Sequence, residues 1–161
     1  MPPVALLLAT LPVVAYDYDF EENGIYYLIT SDDDLTCAVA PGNKAYAGNV
    51  VIPATATFEG TTYKVTAIAA KAFKDCKRLK SIDIGNITEI GKNAFSGCTN
   101  LTNIDLSSVT QLGEQAFRDC TNLTSVDLIG ITTLHAGTFN GCKNLMTVKN
   151  AHNIKEIDNF N

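Results

Sequence analysis

The chain has 161 residues, of which 46% are hydrophobic and 18% are charged. This composition is typical of one globular domain and excludes an intrinsically disordered chain. The formal net charge is −5 and the basic residues are scattered singly, so the sequence offers no positive stripe for nucleic acid or for an anionic membrane surface.

The N-terminal residues are similar to an export signal. They are apolar from Val4 to Ala15, a stretch too short to span a bilayer but as long as a secretory hydrophobic region. The small residues Val13 and Ala15 predict cleavage before Tyr16, although no basic residue precedes the apolar run. We predict a signal peptide over residues 1–15, secretion or display at the cell surface, and no membrane span. An apolar first strand of the mature fold is the alternative.

Residues 16–64 predict a β-rich N-terminal cap. The Asn23-Gly24 pair is typical of two-residue hairpin turns, and Glu59-Gly60 predicts a second hairpin turn. Residues 50–53 resemble a repeat strand that precedes this second hairpin. The acidic run at residues 31–35 lacks the alternate spacing of carboxylates in calcium loops, so we interpret it as a solvated turn.

From residue 65 onward the sequence repeats every 22 residues, which is the spacing from Phe73 to Phe95 and from Phe95 to Phe117. One such unit cannot bury its own apolar face, whereas stacked copies can, which predicts a solenoid of 22- to 23-residue repeats over residues 65–161. Four apolar columns follow this step: Phe73, Phe95, Phe117 and Phe139; Cys76, Cys98, Cys120 and Cys142; Leu79, Leu101, Leu123 and Leu145; Ile82, Ile104, Val126 and Val148.

Each unit predicts a strand and a short helical segment. Residues 101–106, LTNIDL, end with apolar residues two apart, the period of a half-buried strand. Residues 113–119 predict one helical or 3₁₀ turn that carries Ala116 and Phe117 inward. The fold class that follows is an α/β repeat solenoid, with a parallel β-sheet on one side and short helical turns on the other. Left-handed backbone is predicted before each cysteine, where Asp and Gly alternate at Asp75, Gly97, Asp119 and Gly141.

The unit G-x-x-A-F-x-x-C-x-x-L-x-x-I-x-L-x-x-V-T-x-I/L resembles the BspA-like subfamily of leucine-rich repeats, a group of bacterial and protozoan surface proteins. The resemblance covers residues 65–157, and the segment before them is similar to the β-hairpin caps of that subfamily. It implies a leucine-rich-repeat solenoid at the cell surface or outside the cell, and adhesion to host proteins or to other cells.

The repeat becomes irregular at its far end. Asn150 stands at an apolar position, and the step from Leu134 to Ile157 is longer by one than the steps before it. The sequence stops at Asn161 within a repeat and without an evident polar cap. We therefore expect either a longer parent array or a homodimer formed through the uncapped C-terminal end near Ile154, Ile157 and Phe160.

The cysteines leave three interpretations open. Neighbouring coils would bring Cα atoms within disulfide reach, but side chains in a column point parallel to one another, and the total of five is odd. Zinc needs four converging ligands, which a line of thiols does not provide. We predict free, buried thiols and no metal, with a disulfide or a metal site as the alternatives.

Outward positions of the predicted strands form the candidate ligand surface. Asp83, Asp105 and Asp127 share one column, and Lys149 occupies the next place in it. One alternative is that this face is only solvated, and another is that the carboxylates bind Ca²⁺ or a basic peptide. The predicted surface consists of Ser81, Asp83, Asn103, Asp105, Ser125, Asp127, Thr147 and Lys149.

No recurring position supplies a catalytic group. Around His135 and His152 the sequence shows no evident Ser, Cys or paired carboxylate at a recurring position that would make a triad or an acid/base pair, and it contains no phosphate loop or nucleophile elbow. We predict a non-enzymatic binding or adhesion protein with a protein ligand and no cofactor. A structural or self-associating segment of a longer surface protein is the second hypothesis, and an extracellular enzyme is the third.

Threonine recurs at one position of the repeat, in a column of Thr66, Thr88, Thr110 and Thr132. We expect these hydroxyls to form hydrogen bonds with backbone groups in the turn after each strand.

Overall fold

The computed structural model describes residues 17–157. Within this range the secondary structure is almost entirely strand and turn, with a single 3₁₀ helix at Ala151–Asn153. The predicted signal peptide at residues 1–15 lies outside the described residues, as does Phe160. The strands are β1 (Phe20–Glu22), β2 (Ile25–Ser31), β3 (Thr36–Val39), β4 (Gly48–Val51), β5 (Thr55–Phe58), β6 (Thr61–Ile68), β7 (Leu79–Asp83), β8 (Glu89–Ile90), β9 (Gln111–Leu112), β10 (Ser125–Asp127), β11 (Thr133–Leu134), β12 (Thr147–Lys149) and β13 (Glu156–Ile157).

Two antiparallel hairpins precede the repeats. Asn23 and Gly24 join β1 to β2 with φ angles of 53° and 81°, and Glu59 and Gly60 join β5 to β6 with φ angles of 48° and 83°. Both turns therefore have two left-handed central residues, as tight hairpin turns require. Strand β3 pairs in parallel with β6, so the hairpin region continues into the repeat sheet without a gap.

An aromatic cluster fills the hairpin region. The ring of Phe20 stacks on Tyr27 at 5.1 Å and on Phe58 at 5.0 Å between centroids. The Glu22 carboxylate accepts a hydrogen bond from the N–H of Thr57 at 3.1 Å, which ties β1 to β5. These contacts pack the hairpins into the N-terminal end of one hydrophobic core that continues through the repeats.

The repeats contribute strands to two parallel ladders. The first ladder consists of the pairs β4–β7 and β10–β12, and the second contains β6–β8–β9 and β11–β13. Glu89 pairs with Gln111, and Ser125 pairs with Thr147. The partners in both pairs are one repeat apart, so one turn of the solenoid is one sequence repeat, as the sequence predicts.

Residues 101–106 depart from the predicted strand. They lie between β7 and β10 in the chain but are not assigned to a strand. Leu101, Ile104 and Leu106 are nevertheless buried, and the N–H of Thr124 donates to the Thr102 carbonyl at 3.1 Å. The unit keeps its place in the core while the first ladder is interrupted.

The predicted helical turn at residues 113–119 is not a helix. Gln115 and Asp119 have φ angles of 56° and 58°, a left-handed conformation that a right-handed helix cannot contain. The N–H of Phe117 donates to the Thr138 carbonyl of the next coil at 2.9 Å rather than along a helix. A stack of tight turns therefore replaces the expected helical layer, and the solenoid is built from strands and turns.

Phenylalanine rings form a continuous stack through these turns. The centroid distances are 5.0 Å from Phe73 to Phe95, 5.2 Å from Phe95 to Phe117, and 5.7 Å from Phe117 to Phe139, with interplanar angles of 5°, 1° and 9°. The ring of Tyr46 lies 4.5 Å from Phe73 and closes the stack at its N-terminal end. The first three phenylalanines have no exposed surface.

Left-handed residues recur at two positions in each turn. The predicted position before each cysteine is confirmed, since all four residues have positive φ angles. A second position four residues earlier was not predicted, because three of its members are not glycine. The first set comprises Asp75, Gly97, Asp119 and Gly141, and the second comprises Lys71, Asn93, Gln115 and Gly137.

The irregular last coil has a local explanation. Leu134 pairs with Ile157, which confirms the longer step predicted there. Asn150 has a φ of 57°, and its side-chain amide donates to Oδ1 of Asp127 at 2.6 Å. The 3₁₀ helix at Ala151–Asn153 follows directly. The polar residue at an apolar position thus binds the preceding coil.

Truncation of the central ring should be costly. We expect Phe117→Ala to lower the free energy of unfolding by about 3 to 5 kcal/mol, since it removes a fully buried ring from between two others. Phe139→Ala is the matched control and should cost less, because that ring is only half-buried. Urea denaturation of the two variants measures both values. A nearly unchanged midpoint for Phe117→Ala would contradict the stacked core.

Candidate functional site

The structure places the predicted ligand residues in two columns on the outer face of the first ladder. In register, Ser125 pairs with Thr147 and Asp127 pairs with Lys149. Five of the eight side chains are exposed and three are half-buried. The exposed ones are Asp83, Asn103, Asp105, Thr147 and Lys149, and the half-buried ones are Ser81, Ser125 and Asp127.

Strand β4 adds a first row that sequence reasoning missed. Asn49 pairs with Ser81, and Val51 pairs with Asp83. The hydroxyl of Ser81 donates to Oδ1 of Asn49 at 3.0 Å. The sequence already identifies residues 50–53 as a repeat strand, so the alternation of its side chains could have added these two residues to the predicted surface.

The aspartate column supports turns. Oδ1 of Asp83 accepts the N–H of Gly85, and Oδ1 of Asp105 accepts the N–H of Ser107, both at 2.9 Å. These bonds form a tight turn directly after Asp83 and after Asp105, as in Asx turns. The bonds from the backbone N–H and the side chain of Ser107 lower the pKa of Asp105, so this carboxylate stays ionised at neutral pH.

The face between the columns is shallow. A depression of about 110 Å³ lies between Asp105, Ser125, Asp127 and Lys149. Small-molecule sites usually enclose about 300 to 1,000 Å³, so this depression is too small for such a ligand. The polar face is therefore suited to contact with another surface rather than to enclosure of a small molecule.

Cysteine thiols bond each coil to the one before it. The thiols of Cys98, Cys120 and Cys142 donate to the carbonyls of Phe73, Phe95 and Phe117 at 3.0, 3.1 and 3.0 Å. All five cysteines of the chain are free thiols, and all except Cys142 are buried. The cysteine column thus has a structural role, because these three thiols each bond to a backbone carbonyl of the preceding coil.

Burial makes these thiols poor nucleophiles. Removal from water raises the pKa of Cys120 to about 12 and that of Cys142 to about 11, because it disfavours the thiolate. It raises the pKa of Cys98 as well. Within residues 17–157, no three His, Cys, Asp or Glu side chains are grouped as metal ligands.

Threonine hydroxyls serve the turns after the second ladder. The hydroxyl of Thr88 donates to the Thr66 carbonyl, and that of Thr110 donates to the Thr88 carbonyl, both at 3.3 Å. The prediction that this column satisfies backbone groups is confirmed at these two positions.

The two histidines lie apart from one another, with His135 half-buried after β11 and His152 exposed in the last coil.

The close packing of the coils leaves a groove along the second ladder. It measures about 590 Å³ and crosses the second ladder, with Ala67, Gly91 and Gly113 among its lining residues. A Cβ atom at Gly113 would lie 2.4 Å from the backbone nitrogen of Lys92, so the coils approach too closely for a side chain there. The small residues of this groove are therefore required by the fold.

A second groove borders β4. It measures about 530 Å³ and lies between the β1–β2 turn, residues 44–47 and the strand itself. Glu21, Tyr26 and Lys44 are among its lining residues, and Val51 forms part of its wall. This groove adjoins the first row of the polar face.

No helix of the described part of the chain has the length and apolar character needed to cross a bilayer.

Comparison with known proteins identifies a repeat family and its fold. A sequence model of the BspA-type leucine-rich repeat region matches residues 55–160 in six copies. A leucine-rich cell surface protein of Faecalibacterium prausnitzii has a similar structure, with a TM-score of 0.66 and 24% identity, over 86% of this chain and 44% of that chain. The leucine-rich repeat protein of T. pallidum matches with a TM-score of 0.50 and 22% identity, over 86% of this chain and 85% of that chain.

The relatives differ in length from this chain. A leucine-rich repeat protein of Bacteroides ovatus, 26% identical with a TM-score of 0.48, is matched over 49% of its length by 87% of this chain. This chain thus spans less than half of the F. prausnitzii and B. ovatus proteins. None of the curated proteins matches it.

Thiol labelling tests the cysteine column. We expect Cys98 and Cys120 to stay unmodified by an alkylating reagent at about pH 8, because only the thiolate reacts and burial raises the pKa of both thiols. Cys142 should react first, at a rate that rises about tenfold per pH unit up to its pKa of about 11. Mass spectrometry of digested protein locates the labels, and the chain in denaturant is the control. Full labelling of native Cys98 would contradict its burial.

Proposed function

The chain belongs to the BspA-type leucine-rich repeat family, and we propose that it is a non-enzymatic protein that binds another protein outside the cell. The observation that carries the proposal is the polar face of the first ladder, where side chains from successive coils lie in register. The F. prausnitzii relative of the same fold is a leucine-rich cell surface protein. The apolar residues 1–15 support export by a signal peptide.

The proposed contact surface consists of the eight residues predicted from the sequence, together with β4. Exposed carboxylate, amide, hydroxyl and ammonium groups alternate along this face. Such groups make hydrogen bonds and charge pairs with a partner surface, and electrostatic complementarity raises the association rate more than the affinity. A protein with exposed basic side chains complements the column of Asp83, Asp105 and Asp127.

The size of the face limits the affinity of one chain. The polar face spans five coils spaced about 4.8 Å apart, and about 10 to 13 Å of each strand is exposed along its length. The exposed area of the face is therefore roughly 250 to 300 Å². A standard specific interface takes about 800 Å² from each partner. A single chain should therefore bind no tighter than about micromolar, and firm adhesion should depend on many copies held on one surface.

Self-association is a second candidate, favoured by apolar side chains in the last coils. Met146 is 84% exposed, Ile157 is 62% exposed and Val148 is 45% exposed. Exposed apolar groups of this size stabilise contacts between proteins. The proposed homodimer would bury these side chains between two copies of the chain.

Binding to immobilised extracellular proteins tests the first candidate. The variant Asp83→Asn/Asp105→Asn keeps the acceptor oxygens of both turns but removes two charges, and we expect about fivefold weaker binding to any basic partner. Asp33→Asn, an exposed acidic residue of the β2–β3 turn, is the matched control and should leave binding unchanged. Surface plasmon resonance at two salt concentrations measures both.

Sedimentation of the same samples separates the two candidates. Met146→Glu should dissociate a homodimer that forms through the last coils into monomers, and it should leave binding to the partner protein unchanged. Binding that disappears together with the dimer would favour self-association as the function. Nanomolar one-to-one binding by a strict monomer would contradict the proposed weak, multivalent contact.

A further inference from the structure

The outer edge of β4 has unused backbone groups. Strand β4 pairs with β7 on one side, and within residues 17–157 no strand pairs with its other side. The N–H groups of Gly48 and Ile52 donate to carbonyls of the β7 segment, both at 2.8 Å. Because alternate residues of a parallel strand bond to the same side, the N–H and C=O groups of Asn49 and Val51 face the unpaired edge.

The groove of about 530 Å³ runs along this edge. The β1–β2 turn and residues 44–47 form its other walls, so the edge is recessed. Its volume lies in the range of sites that enclose a ligand of a few residues. Val51 is 65% exposed and is the largest apolar surface beside the free backbone groups. The groove thus offers hydrogen-bonding groups and an apolar contact side by side.

Two of the devices that usually protect a strand edge, a charge and a proline, are missing from β4, and its pairing with β7 shifts register only at its start, between Gly48 and Asn49. Proteins place lysine, proline or a bulge on exposed strand edges to prevent pairing with other chains. The other end of this ladder follows the rule, since β12 carries Lys149. The sequence of β4 is Gly-Asn-Val-Val, without a charge or a proline, and Pro53 comes only after the strand has ended.

We propose that the edge of β4 binds an extended segment of a partner protein as an added strand, with an aliphatic side chain of that segment against Val51. An extended peptide supplies N–H and C=O groups at the spacing that a strand edge requires. Glu21 and Lys44 line the same groove and give it a charge of each sign for charged side chains of the segment. The inference rests on the proposed function only in that the partner is a protein.

The test uses a peptide with the sequence of the segment that pairs with the other edge of β4 in the fold. A synthetic peptide with the sequence of residues 78–85, RLKSIDIG, contains β7, the strand that pairs with β4 in the fold. We expect this peptide, at about 1 mM, to shift the amide resonances of Asn49 and Val51 in the unmodified chain and to slow their hydrogen exchange about tenfold. Resonances of Asn103 and Asp105 on the polar face should not move.

Two variants test the backbone groups directly. Val51→Pro removes the outward N–H and should weaken peptide binding about tenfold, since β-addition depends on main-chain bonds. Val51→Thr keeps the N–H but replaces one methyl group by a hydroxyl, so it should weaken peptide binding clearly less than Val51→Pro does. Circular dichroism checks that both variants are folded, and the exchange measurement stands by itself if Val51→Pro is not.

Each other outcome has a defined meaning. Shifts confined to Asn103 and Asp105 would overturn the edge site while they support the proposed polar surface. An absence of shifts at about 1 mM peptide would overturn the edge site alone, because binding to extracellular proteins is measured separately. Self-association without peptide that Val51→Pro abolishes would assign the groove to a second copy and overturn its assignment to a partner protein.

Discussion

The close approach of each coil to the next is the constraint on which the rest of the structure depends. Strand pairs and turn-to-turn hydrogen bonds hold the coils in register, with one sequence repeat in each coil. Each side chain therefore meets the equivalent side chain one coil later, so a position must tolerate its own copy as a neighbour. Stacked rings at Phe95 and Phe117 and thiols that reach the previous carbonyl satisfy this condition. Gly113 satisfies it by having no side chain.

Much of this arrangement could be predicted from the sequence, because stacking repeats the same residue types at a fixed step. The apolar columns, the two hairpin turns and the left-handed position before each cysteine follow from local residue preferences. The replacement of the expected helical turns by left-handed turns does not, because Lys71, Asn93 and Gln115 are ordinary residues in a left-handed conformation. Their conformation is stabilised by hydrogen bonds to the next coil, for example from Asn93 to Glu114 at 3.0 Å, which no single unit shows.

The candidate sites follow the same division. The polar columns are a direct result of strand alternation, and their residues could be named from the sequence. The groove beside β4 could not, because it depends on where the β1–β2 hairpin packs relative to the first coil. A regular solenoid offers a small, flat and polar face, whereas the break in regularity at β4 exposes backbone groups and Val51 together. The proposed strand-addition site therefore lies at this break in the array, next to the polar face rather than on it.

Deletion of one coil tests the stacking account most directly. Removal of residues 94–115 takes out one full repeat and joins Asn93 to Ala116, so the columns stay in phase. We predict cooperative unfolding with reduced stability for this variant, since coils contact mainly their neighbours. Removal of only residues 94–104 shifts every later column by half a coil and should abolish cooperative unfolding. Equal stability of the two variants in urea would contradict a core built from coils in register.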